Sequence, residues 1–188
     1  MKFDPQAFGP DVAAILALDG NGERLMPLAS GRCSSHEALI KLKTAAAVDL
    51  FPHSRAPEAA LSGLYLYFSC LDQSHEISQS IDTVEGSFWH GILHRQEPDP
   101  DNARYWFRQV PSHPIFADLA KAAAAVETRF PDSGLSPDGR WDPIRFVGIC
   151  ERAGREPDSP LYQAALEMQR AEWQLLFDYC ASVRSPAL

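Results

Sequence analysis

The sequence predicts an all-α protein, and three observations carry that prediction. Proline follows a residue able to cap a helix at Asp99-Pro100, Asp142-Pro143, Ser159-Pro160 and His113-Pro114. A capping side chain accepts a hydrogen bond from an orphan helix N–H, and proline at the first helical position gives up only an N–H that has no partner anyway. Apolar residues recur at helical spacing in Leu61, Leu64, Tyr65, Phe68 and Leu71, and again in Leu161, Ala165, Met168, Trp173, Leu176 and Tyr179. No strand-like alternation of apolar and polar residues follows residue 30.

In chain order, Ala14–Leu18 and Arg24–Leu28 flank Asp19-Gly20-Asn21-Gly22, which predicts at most one small N-terminal β-hairpin. The Asp-Gly-Asn-Gly-Glu string has the look of a calcium loop but fails as one. Arg24 stands where the loop needs glycine, and Ser30 where it needs the closing carboxylate. It reads as a turn. Two capping boxes, Ser34 with Glu37 and Asp82 with Glu85, add helix starts. Together these signals predict helices near 35–49, 57–79, 83–96, 100–109, 114–130, 143–153 and 160–181. Residues 131–142, PDSGLSPDGRWD, have the composition of a surface loop. The expected architecture is a single-domain helical bundle over 1–188, with a central antiparallel helical hairpin within 57–110 and residues 1–32 as an N-terminal extension packed on it.

Composition narrows the function classes. The 188 residues are 45% hydrophobic and 22% charged, ordinary for a soluble globular chain. The formal net charge is −8, and Arg95, Arg104 and Arg108 are interleaved with Glu97, Asp99 and Asp101. A surface that tracks phosphates is not expected, so nucleic acid is not an expected partner. The apolar run Val12–Leu18 is only seven residues, too short to cross a bilayer, so a membrane is not expected either. The start, MKFDPQAFGPD, lacks a signal-peptide pattern, which makes the cytoplasm the expected location. Cys33, Cys70, Cys150 and Cys180 are far apart and form no C-x-x-C pair; they read as small buried apolar residues in a reducing compartment.

Glu85–Pro114 concentrates the chemistry, holding three of the six histidines and two of the four tryptophans. On a helix, His90 and His94 share a face four residues apart, and Glu97 follows one turn later. Two histidines at that spacing can ligate one divalent metal, with Glu97 supplying oxygen and His75 or Asp72 completing the site. Counting heights from the hairpin turns places His90 level with Asp72 and Trp106, and His94 level with Tyr67 and Asn102; His75 falls nearer Ser87 and Glu85. The competing account makes both imidazoles hydrogen-bonded core residues. Tyr105, Trp106 and Phe107 are consecutive and point about 100° apart, so either their helix is buried on most sides or one ring lines a pocket or a partner surface.

The pattern His90-x3-His94-Arg95-x-Glu97-x-Asp99-x2-Asn102-Ala103-x-Tyr105-Trp106, continued to His113-Pro114, resembles the core motif of a family of uncharacterised helical proteins from bacteria and fungi. The match covers about thirty residues and implies a shared fold, without an activity. Family members often carry glycine where this chain has Pro98, a swap that suits a turn. Glu97–Ala120 also resembles half of a tetratricopeptide unit, but only one copy is present and such arrays need about three.

Two functional readings follow. In the first, the chain binds a small molecule or a metal, with enzymatic activity left open. His90, His94 and Glu97 are its catalytic candidates, His90 and His94 its metal ligands, and Arg95, Asn102, Tyr105, Trp106 and Arg108 its ligand-binding residues. In the second, the chain is a non-enzymatic interaction or scaffold module, and the same motif is a buried structural network. The expected partner is a small molecule or a protein, with homo-oligomerisation left open.

Overall fold

A computed structural model describes residues 3–183. Among them lie α1 (Pro10–Leu16), α2 (His36–Thr44), α3 (Ala47–Leu50), α4 (Pro57–Tyr67), α5 (Leu71–Ser78), α6 (Val84–Gln96), α7 (Pro100–Phe107), α8 (Phe116–Arg129), α9 (Pro143–Ala153) and α10 (Pro160–Ala181), with two short 3-10 turns before α2. The all-helical prediction holds, and no strand occurs among the described residues. The expected β-hairpin is absent. Residues 10–16 are helical, and Gly20–Gly22 form a 3-10 turn in which Gly20, Asn21 and Gly22 all take left-handed φ values of 77°, 54° and 82°. Glycine adopts that backbone freely and asparagine tolerates it, so the string makes a coil too tight to pair strands.

The cap-proline signals mark real helix starts. Asp99 Oδ1 accepts from Asn102 N at 3.2 Å, Asp142 Oδ1 accepts from Ile144 N and Arg145 N, and Ser159 Oγ accepts from Tyr162 N at 3.1 Å. Asp99→Ala is therefore expected to lower the unfolding free energy by about 1 kcal/mol. Urea melts check this, and an unchanged midpoint would mean the cap contributes nothing. The two predicted capping boxes are displaced by one residue. Ser35, not Ser34, accepts from Ala38 N at 3.1 Å, while Ser34 Oγ turns to Asp19; Thr83, not Asp82, caps α6. At His113-Pro114 a turn intervenes, and α8 begins only at Phe116.

The largest departure lies in the segment expected to be one helix over 57–79. It breaks at Phe68–Cys70, where Ser69 has φ 57°. The break is held from the N-terminal segment. The Arg24 guanidinium donates to the carbonyl of Tyr67 and to Ser69 Oγ (3.1 Å), Ser34 N donates to Phe68 O at 2.7 Å, and Cys33 and Cys70 form a disulfide. The reading of four buried thiols is thus corrected for this pair, which is 37 residues apart in sequence but adjacent once α4 stops. Cys150 and Cys180 are free and buried, and burial pushes the Cys150 thiol up to about 12.

The core is continuous from the N-terminal segment to α10. Val12, Leu16 and Met26 join Leu64, Phe88, Trp89, Phe107, Phe146, Trp173 and Phe177 in one buried apolar cluster. Two glycines permit its tightest approaches. A Cβ at Gly63 would lie 2.7 Å from the Trp89 ring, and one at Gly91 would lie 3.0 Å from Phe107, where α6 and α7 press together. No described helix is long and apolar enough to cross a membrane.

Candidate metal centre

The histidine cluster is built on two helices. α6 presents His90 and His94 one turn apart, and both are buried, 2% and 5% exposed. α5 brings the half-buried His75 against them. Ring centroids lie 4.6 Å apart for His75–His90, 4.7 Å for His90–His94 and 5.4 Å for His75–His94. One ring nitrogen from each imidazole lies within 4.8 Å of the other two. The Trp106 ring from α7 stacks on His90 at 4.1 Å and closes one side.

One ring nitrogen of each α6 histidine has a protein partner. His90 Nδ1 is 3.2 Å from the Ser78 hydroxyl, and His94 Nδ1 is 2.9 Å from Glu97 Oε2. A carboxylate on Nδ1 holds that proton in place and leaves the Nε2 lone pair of His94 free. Among the described residues, neither His90 nor His94 makes a further side-chain hydrogen bond. Burial, then the neighbouring His94 and His75, push the His90 imidazole down to about 3; burial also lowers His94, against the pull of Glu97. Both rings are consequently neutral near pH 7, the state in which imidazole donates a lone pair.

The sequence candidates divide between two faces of α6. Glu97 stays with the cluster, bound to His94. Arg95 points the other way, into the core. It is 3% exposed, pairs with the buried Glu172 of α10 at 2.5 Å, and sits over the Phe146 ring at 4.4 Å. On α7, Asn102 and Trp106 share a face four residues apart and both are half-buried. Tyr105, 53% exposed, meets Trp106 edge-on at 5.5 Å, and Arg108 is exposed at the helix end. Phe107 alone of the three consecutive rings is fully in the core. Arg104 pairs with Glu151 rather than with Glu97.

His75, not Asp72, is the third member, and Asp72 is exposed. Tyr67 does not reach the His94 layer. Its hydroxyl accepts from Gly22 N and Arg24 N and donates to the carbonyl of Asp19. His75 itself, expected nearer Ser87 and Glu85, meets His90 and His94, and these height errors share a cause: counting residues along a single straight helix ignores the break at Phe68–Cys70, which re-aims α5. Ser78, the partner of His90, was missed, and its spacing from His75 on a helix face was the available signal.

Two cavities lie elsewhere. One of about 610 Å³ runs between Phe3–Ala7, α8 and α10; the other, about 410 Å³, is lined by Arg55, Thr83, Glu85 and Tyr179 among others. Neither is lined by the three histidines, of which His75 is the half-buried member. Compared with known proteins, the chain matches no family model, and no curated protein or solved structure is significantly similar to it.

Proposed function

We propose that this chain is a metal-binding helical protein in which His75, His90 and His94 hold one divalent ion and leave a coordination position open for a small ligand or water. The carrying observation is three imidazole nitrogens, one from each of His75, His90 and His94, within 4.8 Å of one another. Three histidines plus an open position is the donor set of a catalytic-type zinc site, and imidazole also suits copper, iron and nickel. An ion bound at ~2.0–2.1 Å in tetrahedral geometry places its ligand nitrogens ~3.3 Å apart. Drawing the cluster in by up to about 1.5 Å is within the reach of side-chain rotation at the half-buried His75. Glu97 orients His94 and raises its basicity, the role carboxylates play behind metal-bound histidines. A divalent ion held there would acidify a bound water toward neutrality, which would give the site the capacity for hydrolytic chemistry. Trp106, with Asn102, Tyr105 and Arg108 alongside, forms the wall a small ligand meets. The scaffold of this reading is a single helical domain whose central hairpin carries the site, with the described part of the N-terminal extension, residues 3–32, packed against it.

Part of the motif supports the structural alternative. Arg95 and Gln96 are buried against α10 and Met26 and face away from the histidines. The two roles coexist on opposite faces of α6.

The test is metal content and affinity of purified protein. His75→Ala, His90→Ala and His94→Ala should each abolish binding of one equivalent of Zn²⁺ or Co²⁺, and Glu97→Gln should weaken it by roughly 10–100-fold. Saturating metal should raise the melting temperature, because it binds only the folded chain. Absence of binding in the wild type rejects the proposal.

A pH dependence follows from the depressed His90. Its folded value is about 3 and its unfolded value about 6.5. Between these the unfolded chain binds more protons, so stability rises with pH. The His90 contribution is therefore fully present above about pH 6.5 and is lost as pH falls toward 3. Urea melts between pH 7 and 4 should show this slope in metal-free wild type and a shallower one in His90→Gln. Equal slopes would remove His90 as the source.

A further inference from the structure

We infer that the Cys33–Cys70 disulfide is a redox control on the three-histidine site, an inference that rests on the metal-binding reading above. Two ligands, His90 and His94, are fixed on the rigid α6. The third arrives on α5, a helix of eight residues whose N-cap is Cys70 itself. His75 thus lies five positions from the cross-link, on an element whose direction is set by the break after α4. The disulfide is the only covalent tie between that break and the N-terminal segment among the described residues. The other polar ties are hydrogen bonds, from Arg24 to Ser69 and Tyr67, from Ser34 to Phe68, and between the Tyr67 hydroxyl and Gly22, Arg24 and Asp19. Further along, Ser62 bonds Ser74, Ser78 bonds His90, and Leu71 and Ile77 pack against the core, so the freedom gained on reduction is confined to the N-terminal end of α5.

The chemistry balances with a dithiol reductant. Its thiolate attacks Cys33 Sγ, the half-buried member; Cys70, 2% exposed, leaves as thiolate and takes a proton. The second thiol of the reductant then resolves the mixed disulfide, releasing the Cys33 thiol, and the reductant ends as its own disulfide. Two electrons and two protons pass to the protein. Once the bond is open, α5 is free to shift at its N-terminal end, and His75 is no longer held against the α6 pair. Loss of an orienting contact behind a metal ligand weakens affinity by roughly 10–100-fold. Linkage requires the reverse effect as well: metal must make the disulfide harder to reduce.

The experiment uses full-length protein and Co²⁺ alone, read by its visible absorption. Oxidised protein should bind at least about tenfold more tightly than protein reduced with a non-chelating phosphine, and Cys33→Ser/Cys70→Ser should match the reduced form with or without phosphine. Saturating Co²⁺ should lower the midpoint potential of the cysteine pair by about 30 mV per tenfold difference in affinity. Equal affinity in both redox states, or an unshifted midpoint, overturns the redox control and leaves the metal site standing. No Co²⁺ binding in either state overturns both. Circular dichroism of the reduced protein separates local from global effects: a retained helical spectrum supports the inference, and a lost one overturns it, because the metal would then be reporting unfolding.

Discussion

Replacing Glu172 with leucine is expected to destabilise the protein by about 3–5 kcal/mol, the cost of leaving a buried charge without its partner. Arg95 and Glu172 are 3% and 0% exposed and meet at 2.5 Å. Gln169 adds a bond to the same guanidinium at 3.4 Å, and Phe146 lies beneath it. With the carboxylate gone, Arg95 keeps its charge in a medium that cannot solvate it, since guanidinium does not deprotonate in proteins. The pair as a whole is a different matter. Burial pushes the Glu172 carboxyl up against the pull of Arg95, so desolvation of both groups offsets much of their attraction. Arg95→Met combined with Glu172→Leu should therefore recover most of the stability lost by the single change. Urea denaturation of the two single variants and the double variant measures this. A single variant within about 1 kcal/mol of wild type would show that Arg95 reaches water.

Trp173→Ala is the second large effect, about 3–5 kcal/mol. The indole is fully buried, stacks on Phe177 at 4.9 Å with planes 11° apart, and lies 4.6 Å from the Tyr67 ring. Its N–H donates to the Gly63 carbonyl at 2.7 Å, joining α10 to α4. Truncation leaves a cavity that its neighbours cannot close, since Phe3, Tyr67 and Phe177 are already committed to other rings. Trp173→Phe keeps most of the packing and removes the donor, so it should cost only about 1 kcal/mol beyond the small change in volume. Similar losses for the two variants would move the weight from packing to the hydrogen bond.

Helix positions were legible in the sequence because their causes are local. Asp99, Asp142 and Ser159 each cap the helix predicted from the proline beside them, since a cap and the orphan N–H it serves lie within three residues. The pairing of His90 with His94, and the approach of Glu97, were likewise legible, because helical spacing alone puts them on one face. The break after Tyr67 was not. Nothing in Tyr67-Phe68-Ser69-Cys70 is a strong helix breaker, and what stops α4 there comes from Arg24, Ser34 and Cys33, 34 or more residues away.

Sequence alone determined the helical class, most helix starts and the two histidines of α6, since those follow from hydrogen bonds and periodicity within a few residues. Tertiary structure decided which side chain completes their cluster. His75 rather than Asp72 meets them because the direction of α5 is fixed by contacts with a distant segment. It also decided that Arg95, adjacent in sequence to His94, faces Glu172 instead, since successive helical residues turn by about 100° and only the packing of α10 says what waits there.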